Sequence, residues 1–196
     1  MREERGFCRH CKGNFSGLGA LLLQFGLLGL ISISCGAQNP EPSEFPIATV
    51  TVGWTYLYAD QGMGERSNLN GWFVRPSVTV GKGFSGFADF TNYYGANHKG
   101  SINSHGFTFG VSKEVFPTPK FKPSVFAEAG DVRSSNAGSI VNEFAFATGA
   151  SFAIPIRSWV SPAITPAEWV FLYPKGDPRN DFNSKVGFSF PIGKRR

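Results

Sequence analysis

Side-chain alternation with a period of two, recurring in segment after segment beyond residue 47, restricts this chain more than any other feature. Ala48, Val50, Val52, Trp54, Tyr56 and Tyr58 share one face, with Thr49, Thr51, Gly53 and Thr55 on the other. Successive side chains of a β-strand point to opposite sides, so such a run reads as a strand with one apolar and one polar face. The pattern returns at 70–81, where Trp72, Val74, Val78 and Val80 oppose Arg75, Ser77 and Thr79, and at 84–94, where Phe84, Ala88, Phe90 and Tyr94 oppose Ser85, Asp89 and Thr91. Further strands are expected over 104–116, 120–132, 142–154 and 180–193. The segment 158–173 contains Pro162 and Pro166, which cannot donate ladder hydrogen bonds, but its end, EWVFLY, reads as extended and aromatic. No stretch holds a helical period for long, and 24 Gly with 13 Pro argue the same way.

Eight such strands in sequence predict an all-β fold. The connections after strands two, four and six read as short, at 81–83, 117–119 and 155–156. Those after strands one, three, five and seven read as long polar loops, for instance 95–103 (GANHKGSIN). Short turns at one end and long loops at the other are the layout of an eight-stranded antiparallel up-and-down transmembrane β-barrel. Both termini then fall at the short-turn, periplasmic end.

Alternation alone does not say which face points inward; volume does. Eight strands enclose only enough space for side chains to fill. The aromatic face is too bulky for that space, whereas the face rich in Gly, Ala, Ser and Thr fits. Closure also pairs every backbone group, as a bilayer requires. Trp54, Trp72 and Trp169 are expected toward strand ends, at the membrane interfaces.

Charges on the inward face need partners, because an unpaired buried charge is costly. A three-residue turn at 81–83 sets Arg75 opposite Asp89, and one at 117–119 sets Glu114 opposite Lys122. Pairing Tyr173 with Asn180 sets Glu168 opposite Lys185, and Glu128 is left to join Lys185. The expected lumen is a packed polar plug held by structural ion pairs, not an open pore.

Residues 1–37 read as a cleaved export signal. Arg9 and Lys12 precede the apolar run 17–34, and the small residues Cys35, Gly36 and Ala37 follow it. An anchoring helix and lipidation of Cys35 are the alternatives. Residues 38–45 form a short periplasmic lead, 46–193 the barrel and 194–196 a basic tail. Cys8, Cys11 and Cys35 all precede residue 38, so the mature chain has no thiol. Cys8 to Cys11 is half of a zinc knuckle and lacks a second ligand pair. No metal, cofactor or catalytic residue is expected. The net charge of +5 is spread without a basic block beyond the terminal tripeptide, so no nucleic-acid footprint is present.

The stretch Asn68 to Trp72, then Gly86 to Phe90 with Tyr93, Tyr94 and Gly95, resembles the outer-membrane barrel domain of OmpA-like proteins, in a version similar to acidobacterial sequences. Residues 107–110, 123–130, 167–169 and 187–190 extend the resemblance over about 46–193. It implies a monomeric, non-enzymatic barrel in a Gram-negative outer membrane, with an occluded lumen. Its partners would be outer-membrane lipids, lipopolysaccharide and, during insertion, the barrel-assembly machinery. Departures from the pattern are the end after Phe190, where an aromatic terminus is usual, and the prolines of strand seven.

The leading functional expectation is a structural or surface-interaction barrel acting through its loops. The alternatives are a narrow porin-like channel for small solutes and a barrel enzyme acting on lipid A. The enzyme would need a His and a Ser within reach on the lipid face. Ser104 and His105 are neighbours on a strand and face opposite ways.

Overall fold

The computed structural model describes residues 47–62, 64–97, 100–136, 139–173 and 178–193. The export segment, the 38–45 lead, the three cysteines, His98 and the basic tail lie outside the described residues. Eight strands follow in order: β1 (Ala48–Gly62), β2 (Glu65–Gly81), β3 (Phe84–Asn97), β4 (Gly100–Glu114), β5 (Lys122–Asn136), β6 (Ser139–Ala153), β7 (Ser161–Tyr173) and β8 (Arg179–Ile192). Each pairs antiparallel with its sequence neighbour, and β1 pairs with β8, which closes the barrel. The eight-stranded up-and-down architecture is the one the alternation predicts.

The faces sort as side-chain volume requires. On β1, Thr55 is fully buried while Trp54 and Tyr56 on either side are exposed. Phe84, Phe90, Phe107, Phe109, Val111, Phe144, Phe182, Val186 and Phe188 all project outward. Along β1 the apolar outer face runs from Ala48 to Tyr58; eleven residues at about 3.3 Å each, tilted about 40°, give roughly 28 Å, the thickness of a bilayer core. Closure at the β1–β8 seam depends on a facing pair of glycines, Gly53 and Gly187. A Cβ on Gly53 would lie 2.1 Å from the carbonyl oxygen of Val186, so no larger residue fits there.

The ends of the barrel differ from the expected layout. Two residues separate β1 from β2, β3 from β4 and β5 from β6, whereas seven separate β4 from β5 and β6 from β7. The Gly-, Asn- and Ser-rich segments read as long loops continue as strand, so hairpins rise at the end opposite the termini. Their outer faces are polar, with Asn68, Asn70 and His105, while Leu57, Leu69 and Ile102 turn inward and are buried. At the upper margin of the belt, where Tyr56 and Tyr58 pair with Asn70 and Asn68, the pattern therefore inverts, as it must where a hairpin passes from lipid into water. For the same reason Trp54 and Trp72 face each other in mid-strand and not at strand ends.

Two registers also differ from expectation. Phe116 adopts a positive φ of 50°, and the hairpin turns between Thr118 and Phe121. The β4–β5 register slips by two residues, so Glu114 faces Ser124 and not Lys122. In β7 the ladder shifts between Thr165 and Glu168, around Pro166. Thr165 then faces Lys185, and Glu168 faces Asn183.

Candidate functional site

The inward face of the middle barrel gathers five charged side chains from five strands: Arg75 of β2, Asp89 of β3, Glu128 of β5, Glu168 of β7 and Lys185 of β8. Strand pairing brings the first two together. Val74 faces Phe90 and Ser77 faces Phe87, which sets Arg75 across from Asp89. Arg75 Nε donates to Asp89 Oδ2 at 2.7 Å, and its Nη2 also meets that oxygen. The same Nη2 donates to Glu128 Oε2 at 3.1 Å and lies 3.8 Å from Glu168 Oε2.

Lys185 enters from β8, on the far side of β1 from Arg75. Its Nζ donates to Asp89 Oδ2 at 2.9 Å and to Glu168 Oε1 at 3.2 Å, and lies 2.9 Å from Glu168 Oε2. The Lys185–Glu168 contact is diagonal, because the flexible four-carbon stem spans the offset left by the β7 shift. Asp89 Oδ2 is shared by both cations and ties β2, β3 and β8 together. Asn183 Nδ2 donates to Glu168 Oε1 at 3.2 Å and to the Tyr93 hydroxyl at 2.9 Å, and Thr55 Oγ1 donates to Asn183 Oδ1 at 2.7 Å. All five charged groups are buried or nearly so, and Lys185 is 3% exposed.

Aromatic rings complete the mid-lumen packing. The Arg75 guanidinium carbon sits 4.5 Å from the Phe87 ring centroid and 4.7 Å from that of Phe126, whose planes meet at 81°. Lys185 Nζ is 5.7 Å from the Phe73 centroid. A planar guanidinium between two ring faces gains cation–π attraction where water is excluded. Sequence reasoning did not assign these three phenylalanines to the lumen. The signal was available: each lies two residues before a lumen charge, Phe73 before Arg75, Phe87 before Asp89 and Phe126 before Glu128.

Of the expected site residues, the structure brings Arg75 to Asp89 and Lys185 to Glu168. Glu114 faces Ser124 and not Lys122, so the expected direct pairing is replaced by a diagonal one across which the Lys122 charge still acts on Glu114; both sit outside the cluster. Glu128, expected to join Lys185, hydrogen-bonds to Arg75 and also feels the Lys185 charge.

On the hairpin side of this cluster the lumen opens into a cavity of about 350 Å³. Glu128, Glu168 and Lys185 form its floor. Two apolar patches face it: Leu57, Leu69 and Ile102 on one wall, and Ala147, Val170 and Leu172 on the other. Toward the rim stand Arg179 ion-paired with Glu143, and Asp181, which accepts a hydrogen bond from the Asp60 amide at 2.6 Å. Ser104 lines the cavity and bonds to Ser134 at 2.9 Å, while its neighbour His105 is exposed on the outer face, so the two do not meet. No group of three metal-ligating side chains occurs among the described residues.

No family model and no curated protein matches the sequence. Solved structures do. Neisserial surface protein A (NspA) superposes with a TM-score of 0.64 at 10% identity, over 74% of this chain and 97% of its own. Ail, the attachment invasion locus protein of Yersinia pestis, aligns over 74% of this chain and 99% of its own at 11% identity, with a TM-score of 0.49. The likeness to NspA is one of fold: a small closed barrel of eight antiparallel strands.

Proposed function

We propose that this chain is a monomeric outer-membrane barrel of the OmpA-like kind, exported by its N-terminal segment, that serves as a structural or surface-interaction protein and not as an open pore. The observation that carries this reading is the pairing of an outward apolar belt with a buried charge cluster across mid-lumen. The belt calls for a bilayer, since so large an exposed apolar surface is not sustained in water. The cluster stands where permeating ions would have to pass, with two cations and three carboxylates locked to one another.

The fold it shares with a neisserial surface protein supports the same placement. The hairpins opposite the termini form the outward-facing end, and their polar outer faces are the surface offered to partners. Outer-membrane lipids and lipopolysaccharide surround the belt, and the barrel-assembly machinery inserts it. A narrow channel is the second reading, favoured by the 350 Å³ cavity that reaches down to Lys185.

Planar-bilayer recording of the refolded protein tests the proposal. The expected result is no steady conductance above the bare membrane, together with heat-modifiable mobility showing that the barrel is folded. A stable ohmic open state in a folded preparation overturns it in favour of the channel.

A further inference from the structure

We propose that the hairpin-side cavity is a binding site for a small amphipathic organic cation, an apolar body carrying one protonated amine. The inference goes beyond the surface-barrel reading and rests on lumen geometry alone.

Size and shape come first. A cavity of about 350 Å³ is at the lower end of the range in which small-molecule sites fall, roughly 300–1,000 Å³. Its two apolar walls stand on opposite sides of the lumen: Leu57, Leu69 and Ile102 come from β1, β2 and β4, and Ala147, Val170 and Leu172 from β6 and β7. Water filling such a space finds few partners on either wall, so displacing it with an apolar body is favourable.

Charge selects the rest. Around the cavity and its floor, the carboxylates of Asp60, Asp89, Glu128, Glu143, Glu168 and Asp181 outnumber the cations Arg66, Arg75, Arg179 and Lys185 by two. The excess is localised. Asp181 is 1% exposed and lines the cavity, and the two cations that act on it, Arg179 and Arg66, are already ion-paired with Glu143 and Asp60. It accepts a hydrogen bond from the Asp60 backbone amide. Glu143 gives one oxygen to Arg179, and its Oε2 is buried with no hydrogen-bond partner. Buried carboxylates that share too few cations, one of them with an oxygen lacking any hydrogen-bond partner, favour a ligand that brings a positive charge. An anionic ligand would instead meet five carboxylates in the lining, against Arg179 and Lys185, both already paired.

The test uses the full barrel in lipid nanodiscs, titrated with cyclohexylammonium, cyclohexanol and cyclohexanecarboxylate while methyl resonances are followed. Methyls of Leu57, Ile102 and Leu172 report on the cavity, and those of Val78, Val111 and Val186 on partition into lipid. The expected result is a saturable shift confined to the inward methyls with cyclohexylammonium, at an affinity at least tenfold above that of the other two probes. Asp181→Asn and Glu143→Gln should each weaken it about tenfold, and Ala147→Leu should abolish it by filling the space. Equal affinity for cyclohexanol, tighter binding of the carboxylate, or no saturable inward shift each overturns the proposal. That three-probe comparison needs only the unaltered protein, so it stands even if a variant fails to fold.

Discussion

Lys185→Met isolates the value of the mid-lumen cluster better than any other single change. Methionine keeps most of the volume of the stem and removes only the ammonium, which contacts Asp89 and Glu168 at 2.9 Å. At that separation each contact is worth about 6 kcal/mol of gross attraction with an effective dielectric constant of about 20. Most of it is offset by the several kcal/mol needed to strip water from each ion. What is left after the substitution is Arg75 alone facing Asp89, Glu128 and Glu168, so the uncompensated negative charge in a closed space rises from one to two. Removing one member of a buried pair typically costs about 3–5 kcal/mol. We expect that loss in equilibrium urea unfolding of the barrel in lipid vesicles, read as a lower midpoint at unchanged slope. The double variant Lys185→Met/Glu168→Gln restores the balance and should recover most of it, giving a coupling of about 2–3 kcal/mol in the cycle. A single-variant loss below about 1 kcal/mol, or strict additivity of the two substitutions, would refute the claim that these charges hold one another.

The remaining predictions use the same unfolding assay unless noted. Glu114→Gln should change stability by less than about 1 kcal/mol, since Glu114 faces Ser124 and meets the Lys122 charge only diagonally at the barrel end; a loss near that of Lys185→Met would restore the direct pairing. Gly53→Val should cost more than about 2 kcal/mol, because its Cβ meets the Val186 carbonyl oxygen at 2.1 Å, and should slow the appearance of the heat-modifiable form; wild-type folding would show that the seam is not so tight. Phe109→Arg, on the outer face, should cost about 2–4 kcal/mol in vesicles if that face meets lipid at mid-depth, and a neutral result would place it in water.

The fold was legible because one physical rule, alternation, governs the membrane zone of each strand. The same rule explains what was misread. Above the belt the phase inverts: Asn68 and Asn70 point out where Trp72 does, while Leu69 goes inward. Polar residues at outward positions looked like the start of a loop, although the strand ran on. The register of Arg75 and Asp89 was readable from the three-residue turn at 81–83, and the irregularity between Thr79 and Gly81 leaves that register intact along the strands. That of Glu114 was not, because the positive φ of Phe116 moves the turn to Thr118–Phe121 and no local residue type announces it. Lys185 and Glu168 meet despite a misjudged ladder, because a lysine stem tolerates an offset that a shorter side chain would not. The cavity was illegible for a different reason. It is space left over, set by Leu57, Leu172 and Glu143 from strands far apart in sequence, and no single segment carries its outline.

The mid-lumen cluster also has a kinetic meaning. Its members come from positions 75, 89, 128, 168 and 185, so it exists only after the last strand has found the first half of the sheet. An open sheet entering a bilayer would keep the neighbouring-strand contacts Arg75–Asp89 and Lys185–Glu168 but lose Arg75–Glu128 and Lys185–Asp89, leaving Glu128 without a cation, on top of two raw edges of unpaired backbone. Such a half-formed state is penalised twice, and the two penalties vanish in the same event, when β1 meets β8. Insertion and closure are thereby forced to coincide, and a chain truncated before Lys185 should stall outside the membrane instead of lingering within it as a partial barrel.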